Sequence, residues 1–238
     1  VGILTLLLIF LFYRSSRNFA AQFYEVFMQF IIRGRWSRIL PIAAISLFVI
    51  APNAFAHHAM GGRTPDNFLA GFLSGLAHPI IGFDHFAFVV ASGLLAVGLE
   101  QGFLIPIAFA VAALIGTGIH LQGIDLIFPE RIVAISVIVF GILLTLKQRF
   151  NKSSNLYTIA LATLAMIAGI FHGYAYGESI VGARAVALGA YLLGFTTIQL
   201  AIALGAFKIG NIIKENVSLM KGLGLGIMAI GGVFLLGI

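Results

Sequence analysis

Long apolar runs separated by short polar ones organise this chain. From Phe83 onward, six runs come close to the roughly 20 residues that a helix needs to cross a bilayer. They are Phe83 to Leu99, Phe103 to Leu121, Ile132 to Leu146, Leu156 to Gly173, Ala185 to Phe207 and Gly222 to Ile238. Ahead of them, Thr64-Pro65-Asp66 predicts a helix start, with an N-cap and a proline in the first turn, opening a run that extends only to Ala77. Too short to span, that run is expected to be re-entrant or interfacial. The expected fold is an all-α integral membrane protein, a polytopic bundle of about six transmembrane helices plus a broken or re-entrant first helix.

Composition supports the membrane assignment. Of 238 residues, 61% are hydrophobic and 9% are charged, and the mean hydropathy is +1.09. A soluble domain carries about 25% charged residues. The net charge is +6, but the basic residues stand singly or in small clusters, with no stripe able to track phosphates, which argues against nucleic acid as a partner. The chain has no cysteine. Any metal must therefore be held by histidine, carboxylate, methionine or backbone groups. No phosphate-binding glycine loop and no large soluble segment are present, so transport would be secondary or channel-like.

Arg33, Arg35 and Arg38 precede the apolar stretch Ile39 to Ile50, and Pro52 and Ala54-Phe55-Ala56 follow it. These are the three parts of a secretory signal. Residues 28–56 are read as a cleavable signal peptide starting at Met28 and cut after Ala56, residues 1–27 as over-extended upstream sequence or an extra apolar segment, and residues 57–238 as the membrane transport domain. The alternative is an uncleaved anchor from Leu40 to Ala56. Either way the chain emerges outside the cytoplasm at His57. Loop charges agree, because lysine and arginine collect on the inner side. Lys147, Arg149, Lys152, Lys208, Lys214 and Lys221 then fall inside, whereas Arg63, Arg131 and Arg184 fall outside beside Asp66, Asp125, Glu130 and Glu178.

That topology places all the histidines toward the outer face. Ionisable residues in membrane spans are costly and usually mark a site or pathway. In His78-Pro79-Ile80-Ile81-Gly82-Phe83-Asp84-His85, proline cannot continue the helix before it, which predicts a break at His78. In a continuous helix His78 and His85 would lie about 10 Å apart along the axis, too far for one metal ion. Unwinding at Pro79 and Gly82 would fold His78 back toward Asp84 and His85. Gly71, Ser74 and Gly75 share the His78 face and predict close helix packing. The second constellation is Phe171-His172-Gly173-Tyr174-Ala175-Tyr176-Gly177-Glu178. Imidazole and carboxylate together suit a borderline divalent metal such as Ni²⁺, Co²⁺ or Zn²⁺. The blander readings are a packed helix break with satisfied polar groups and an interfacial aromatic belt.

If cleavage exposes His57, its amine and imidazole can chelate one ion and His58 adds a second imidazole, favouring Ni²⁺ or Cu²⁺. Deeper, Thr196, Thr197 and Gln199 could line a route inward, with Thr117 nearer the outer side, or could bond between helices. His120 and Tyr176 are candidates for supporting positions or for the path. Gly222, Gly226 and Gly232, and Ala112 with Gly116, predict close helix contacts.

HPxxGxDH at 78 to 85, the FHGxAxGxE pattern at 171 to 178 and a leader placing histidine at the mature N-terminus together resemble the HupE/UreJ family. Its members are hydrogenase and urease accessory proteins regarded as secondary nickel or cobalt permeases. The resemblance implies His78, Asp84, His85, His172 and Glu178 as functional residues. It further implies Ni²⁺ or Co²⁺ as the transported ion with no permanently bound cofactor, Zn²⁺ or Cu²⁺ as other ions for the site, and a bacterial plasma membrane location. Metallochaperones or nickel-enzyme maturation proteins are the partners it suggests inside the cell, beside the ion and the lipid bilayer. Two departures stand out: Tyr176 where a second histidine is common, and Val89 where a methionine is common. Two rivals use the same residue types, an intramembrane zinc hydrolase whose metal activates water and a metal-sensing accessory protein that transports nothing.

Overall fold

Each apolar run forms one helix. The computed structural model describes residues 64–147 and 155–237. The expected leader, His57, His58, Arg149 and Lys152 lie outside the described residues. The helices are α1 Phe68–Ile81, α2 Phe83–Ala96, α3 Leu104–Leu121, α4 Pro129–Leu146, α5 Asn155–Glu178, α6 Ala185–Ile213 and α7 Val217–Gly237. Among the described residues there is no strand. Helices α3 to α7 are each long and apolar enough to cross a membrane, and α1 with α2, bent by 79°, form one broken span or re-entrant pair. This is a polytopic helical membrane protein with a broken first helix, as the sequence pattern predicts.

Two local expectations shift by a few residues. The first helix starts at Phe68 rather than within Thr64-Pro65-Asp66, because Asn67 supplies the N-cap: its side-chain oxygen accepts from the Ala70 N–H at 2.9 Å. The break falls at Gly82 rather than at His78, and Pro79 lies inside the last turn of α1. Proline deletes one upstream bond, to the Gly75 carbonyl, while its φ remains helical, so the helix runs on for another turn. Glycine, the poorest helix former after proline, then lets the chain leave at ψ 95°.

Three helix pairs, α3 with α5, α4 with α7 and α1 with α6, make the most extensive contacts, and α2 packs against members of all three. Almost every α2 side chain from Ala87 to Ala96 is buried, which makes this short helix the axis of the core. Its C-terminal carbonyls need partners, since the last turn of a helix has none of its own. Lys147, at the end of α4, supplies them: its ammonium donates to the Leu94 and Leu95 carbonyls and is buried. A residue expected in an inner loop is thus a helix cap, favoured by the negative end of the α2 dipole.

Small residues set the closeness of these pairs. A Cβ on Gly173 would overlap the Ala113 carbonyl oxygen, and one on Gly116 would overlap that of Ile170. The seam also carries a hydrogen bond from Thr117 Oγ1 to the Gly173 carbonyl at 2.7 Å, so Thr117 bonds between helices. Gly71 and Gly75 meet the α6 backbone at Ala187 and Tyr191, as the shared face with His78 predicts. On α7 the expectation is one face out: Gly222, Gly226 and Gly232 look into open space, whereas Gly224 and Gly231 touch α4. One glycine-rich helix offers several such stripes, and only the facing helix chooses among them.

Replacing Gly173 by alanine should force α3 and α5 apart and lower stability by about 1–3 kcal/mol, the usual cost of overpacking. Gly205→Ala, in the interior of α6 with open space at its Cβ position, should be neutral or slightly stabilising. Thermal unfolding of both variants in detergent checks the contrast, and equal melting temperatures would refute the packing account.

Candidate metal site

The bend at Gly82 creates the centre. The Gly82 N–H donates to the His78 carbonyl at 3.0 Å, and the Gly82 carbonyl accepts from Phe86 at 2.8 Å, so both helix ends are closed across the turn. A Cβ on Gly82 would stand 2.5 Å from Cδ2 of His85, so the missing side chain makes room for that ring. The result brings the His78 and His85 rings to 5.8 Å between centroids. Asp84, in the first turn of α2, faces the positive end of the helix dipole. Its carboxylate accepts from the His85 backbone N–H at 2.9 Å and lies 4.0 Å from His85 Nε2. All three side chains are buried.

Helices α4, α5 and α6 complete the surroundings. His172, fully buried on α5, lies with Nδ1 2.7 Å from His85 Nδ1, and its Nε2 is 2.9 Å from Ser136 Oγ on α4. His78 Nδ1 is 2.9 Å from Ser179 Oγ and 3.2 Å from the Tyr191 hydroxyl on α6. The Tyr176 ring is wedged between them, 4.9 Å from His78 and 4.7 Å from His85. Below His172 the wall turns apolar: Phe88 and Phe109 lie 4.7 and 5.2 Å from its ring. These contacts gather the start of α2 and α6, the first half of α4 and the end of α1 and α5 around one centre.

Not every residue expected here belongs to the centre. Glu178 is exposed at the end of α5. Counted position by position, FHGxAxGxE has nine places and runs from Phe171 to Ser179, so its glutamate falls on Ser179, and Glu178 stands one residue early. The structure turns Ser179 inward to His78 and leaves Glu178 outside. One residue on a helix is about 100° of rotation, enough to exchange the two faces. His120 packs instead on Tyr174, at 4.5 Å, and against Gly177. Thr197 is exposed, while Thr196 and Gln199, one helical turn apart, point inward. The sequence reading does not include Ser136, Ser179 or Tyr191, although the ninth place of the pattern points to Ser179 and a tyrosine hydroxyl inside an apolar span points to Tyr191.

Among the described residues, no group of three or more histidine, aspartate or glutamate side chains is already arranged to hold one ion. Two imidazoles and a carboxylate converge, however, with phenol and hydroxyl oxygens beside them. Such a donor mix suits a borderline divalent cation once side chains rotate toward it.

Fold and centre define a polytopic helical membrane protein with buried imidazoles and a carboxylate at a helix break. The family model described as HupE / UreJ protein matches residues 45–234. The chain is 30% identical over 175 residues to "Protein HupE" of Rhizobium leguminosarum bv. viciae, covering 71% of this chain and 83% of that one. It belongs to the HupE/UreJ family. No solved structure matches it.

Gly82→Ala should push the His85 ring away from His172. Modification by diethyl pyrocarbonate, read residue by residue by mass spectrometry, should then accelerate severalfold at His85 and His172 while His120 stays as it was. Unchanged rates at His85 would show that the glycine does not position the ring.

Proposed function

We propose that this protein is a secondary permease that carries a divalent transition metal, nickel or cobalt, into the cell across the bacterial plasma membrane. The family is associated with nickel and cobalt uptake or accessory function. The observation that carries the reading is the helix break that puts His78, Asp84 and His85 side by side inside an apolar bundle. Buried ionisable groups are expensive in a membrane and persist where an ion or proton must pass.

A hydrated divalent cation cannot enter hydrocarbon unaided, so ligands must replace its water stepwise, tightly enough to select and weakly enough to release. In the proposed sequence His57 and His58, outside the described residues, capture the ion on the outer face. His78, Asp84 and His85 then strip part of its hydration. Because Ser179 occupies the place of the pattern's glutamate, Asp84 supplies the negative charge at this point. Beyond the histidines, the wall by His172 is aromatic, which leaves the side toward Tyr176 and α6 as the polar one. There the Tyr176 hydroxyl meets the Gln199 amide, and Thr196 Oγ1 is buried without a hydrogen-bond partner among the described residues. Such an orphan costs about 1–3 kcal/mol, a cost that water or a passing cation would relieve.

Saturable uptake of Ni²⁺ or Co²⁺ into proteoliposomes holding the full chain is expected, with loss of at least about tenfold in His78→Ala and in His85→Ala, a change equivalent to about 1.4 kcal/mol. Tight binding without flux would reject the permease and turn the search to lipid hydrolysis or an accessory role. Uptake should also fall as the external pH drops from about 7.5 to about 5.5, because an imidazole ligates only when deprotonated and protons compete with the metal for it. A flat profile would remove histidine ligation from the rate-limiting step.

A further inference from the structure

Hydroxyl groups around the three buried histidines determine where each ring carries its proton. Ser136 Oγ lies 2.7 Å from the Val133 carbonyl oxygen. Two acceptors would repel at that distance, so the serine spends its single proton on Val133. Toward His172 Nε2, 2.9 Å away, the same oxygen can then only accept, and Nε2 must bear a hydrogen. A neutral imidazole has one N–H, which leaves His172 Nδ1 as an acceptor. Its neighbour at 2.7 Å is His85 Nδ1, which must therefore donate. In the neutral ring, the form able to ligate, the lone pair of His85 is then on Nε2, the nitrogen that lies 4.0 Å from the Asp84 carboxylate.

A second relay reaches His78 by the same logic. The Tyr191 hydroxyl donates to the Tyr176 carbonyl at 2.9 Å, one of the last carbonyls of α5, which has no partner within its own helix. Having spent its proton, Tyr191 can only accept from His78 Nδ1 at 3.2 Å. Ser179 Oγ lies 2.9 Å from the same nitrogen and also bonds the Tyr191 hydroxyl; because that oxygen has spent its proton, the serine donates to it and can likewise only accept from His78. His78 is thus also an Nδ1–H tautomer, with its lone pair on Nε2.

We infer that Ser136 and His172 form a proton-ordering relay, matched by Tyr191 on the other side, that presets His78 and His85 as Nε2 donors for the cation, with His172 a positioning residue rather than a ligand. Ordering by a partner on the far nitrogen is how protein sites fix the tautomer and aim of a ligating imidazole. Both relays end on backbone carbonyls of helices, which cannot flip to reverse them. His172, expected from the sequence to ligate, has both ring nitrogens engaged. The cation chemistry rests on the permease reading above, but the tautomers do not.

The test is nitrogen NMR of the full chain labelled with ¹⁵N-histidine in lipid nanodiscs, resonances being assigned from single His→Gln variants. Without metal, His78 and His85 should appear as Nδ1–H tautomers and His172 as Nε2–H. The opposite tautomer at His172 or His85 would overturn the relay. Ser136→Ala should let His85 and His172 populate both tautomers and raise the KM for Ni²⁺ uptake by roughly 10-fold with little change in kcat. Ser136→Thr, which keeps the hydroxyl, should restore both readouts, and failure to do so would overturn the serine's assigned role. Added Ni²⁺ should shift His78 and His85 as ligands and leave His172 uncoordinated; coordination at His172 would also overturn the proposal. Absence of any nickel-induced change would overturn the permease reading alone, since the metal-free tautomers already decide the relay.

Discussion

A buried imidazole is tolerated in an apolar bundle only when its polar atoms are met, and that requirement shapes this protein around its centre. His172 is fully enclosed, so its two nitrogens must find partners on neighbouring helices, and they do so on α2 and α4. His78 is met by hydroxyls from the end of α5 and from α6. The helices that carry these partners cannot drift apart without stranding a polar group, so the hydrogen bonds and the packing enforce one another.

The packing itself depends on side chains that are missing. Glycines on α3 and α5 let the two backbones touch, which brings the Thr117 hydroxyl to the Gly173 carbonyl. Gly75 on α1 does the same against Tyr191 on α6, in the turn just before His78. Close approach is what hydrocarbon rewards, because lipid offers no hydrophobic force to drive helices together and contact must do so. At the other end of α2, Lys147 closes the helix from outside, so the short central helix is held at both termini.

The two sides of the centre differ in kind. Phe88, Phe109 and Phe140 stack together beneath His172, with ring centroids 4.7 and 4.2 Å apart along the series from Phe88, and they form a dry wall. On the other side Tyr176 and Gln199 meet through their polar side chains, beside the buried Thr196 hydroxyl. Tight apolar packing on one side of the centre thus faces buried polar groups on the other.

Much of this was legible in the chain. Hydrophobic run lengths determined the number and placement of the spanning helices, since the thickness of a bilayer sets them directly. The proline, glycine and histidines of 78 to 85 were enough to predict that a broken helix folds two imidazoles together. Other features needed the tertiary structure. Whether Pro79 or Gly82 makes the bend depends on how far α1 can run against α6. Whether Gly222 or Gly224 touches a neighbour, and whether Glu178 or Ser179 turns inward, depends on the rotation of one helix about its axis. Partners such as Ser136, Tyr191 and Lys147 lie far along the chain from the groups they serve. Sequence periodicity reports which residues share a face, but only the packed helices decide which face meets which, and that choice sets the protons on the histidines.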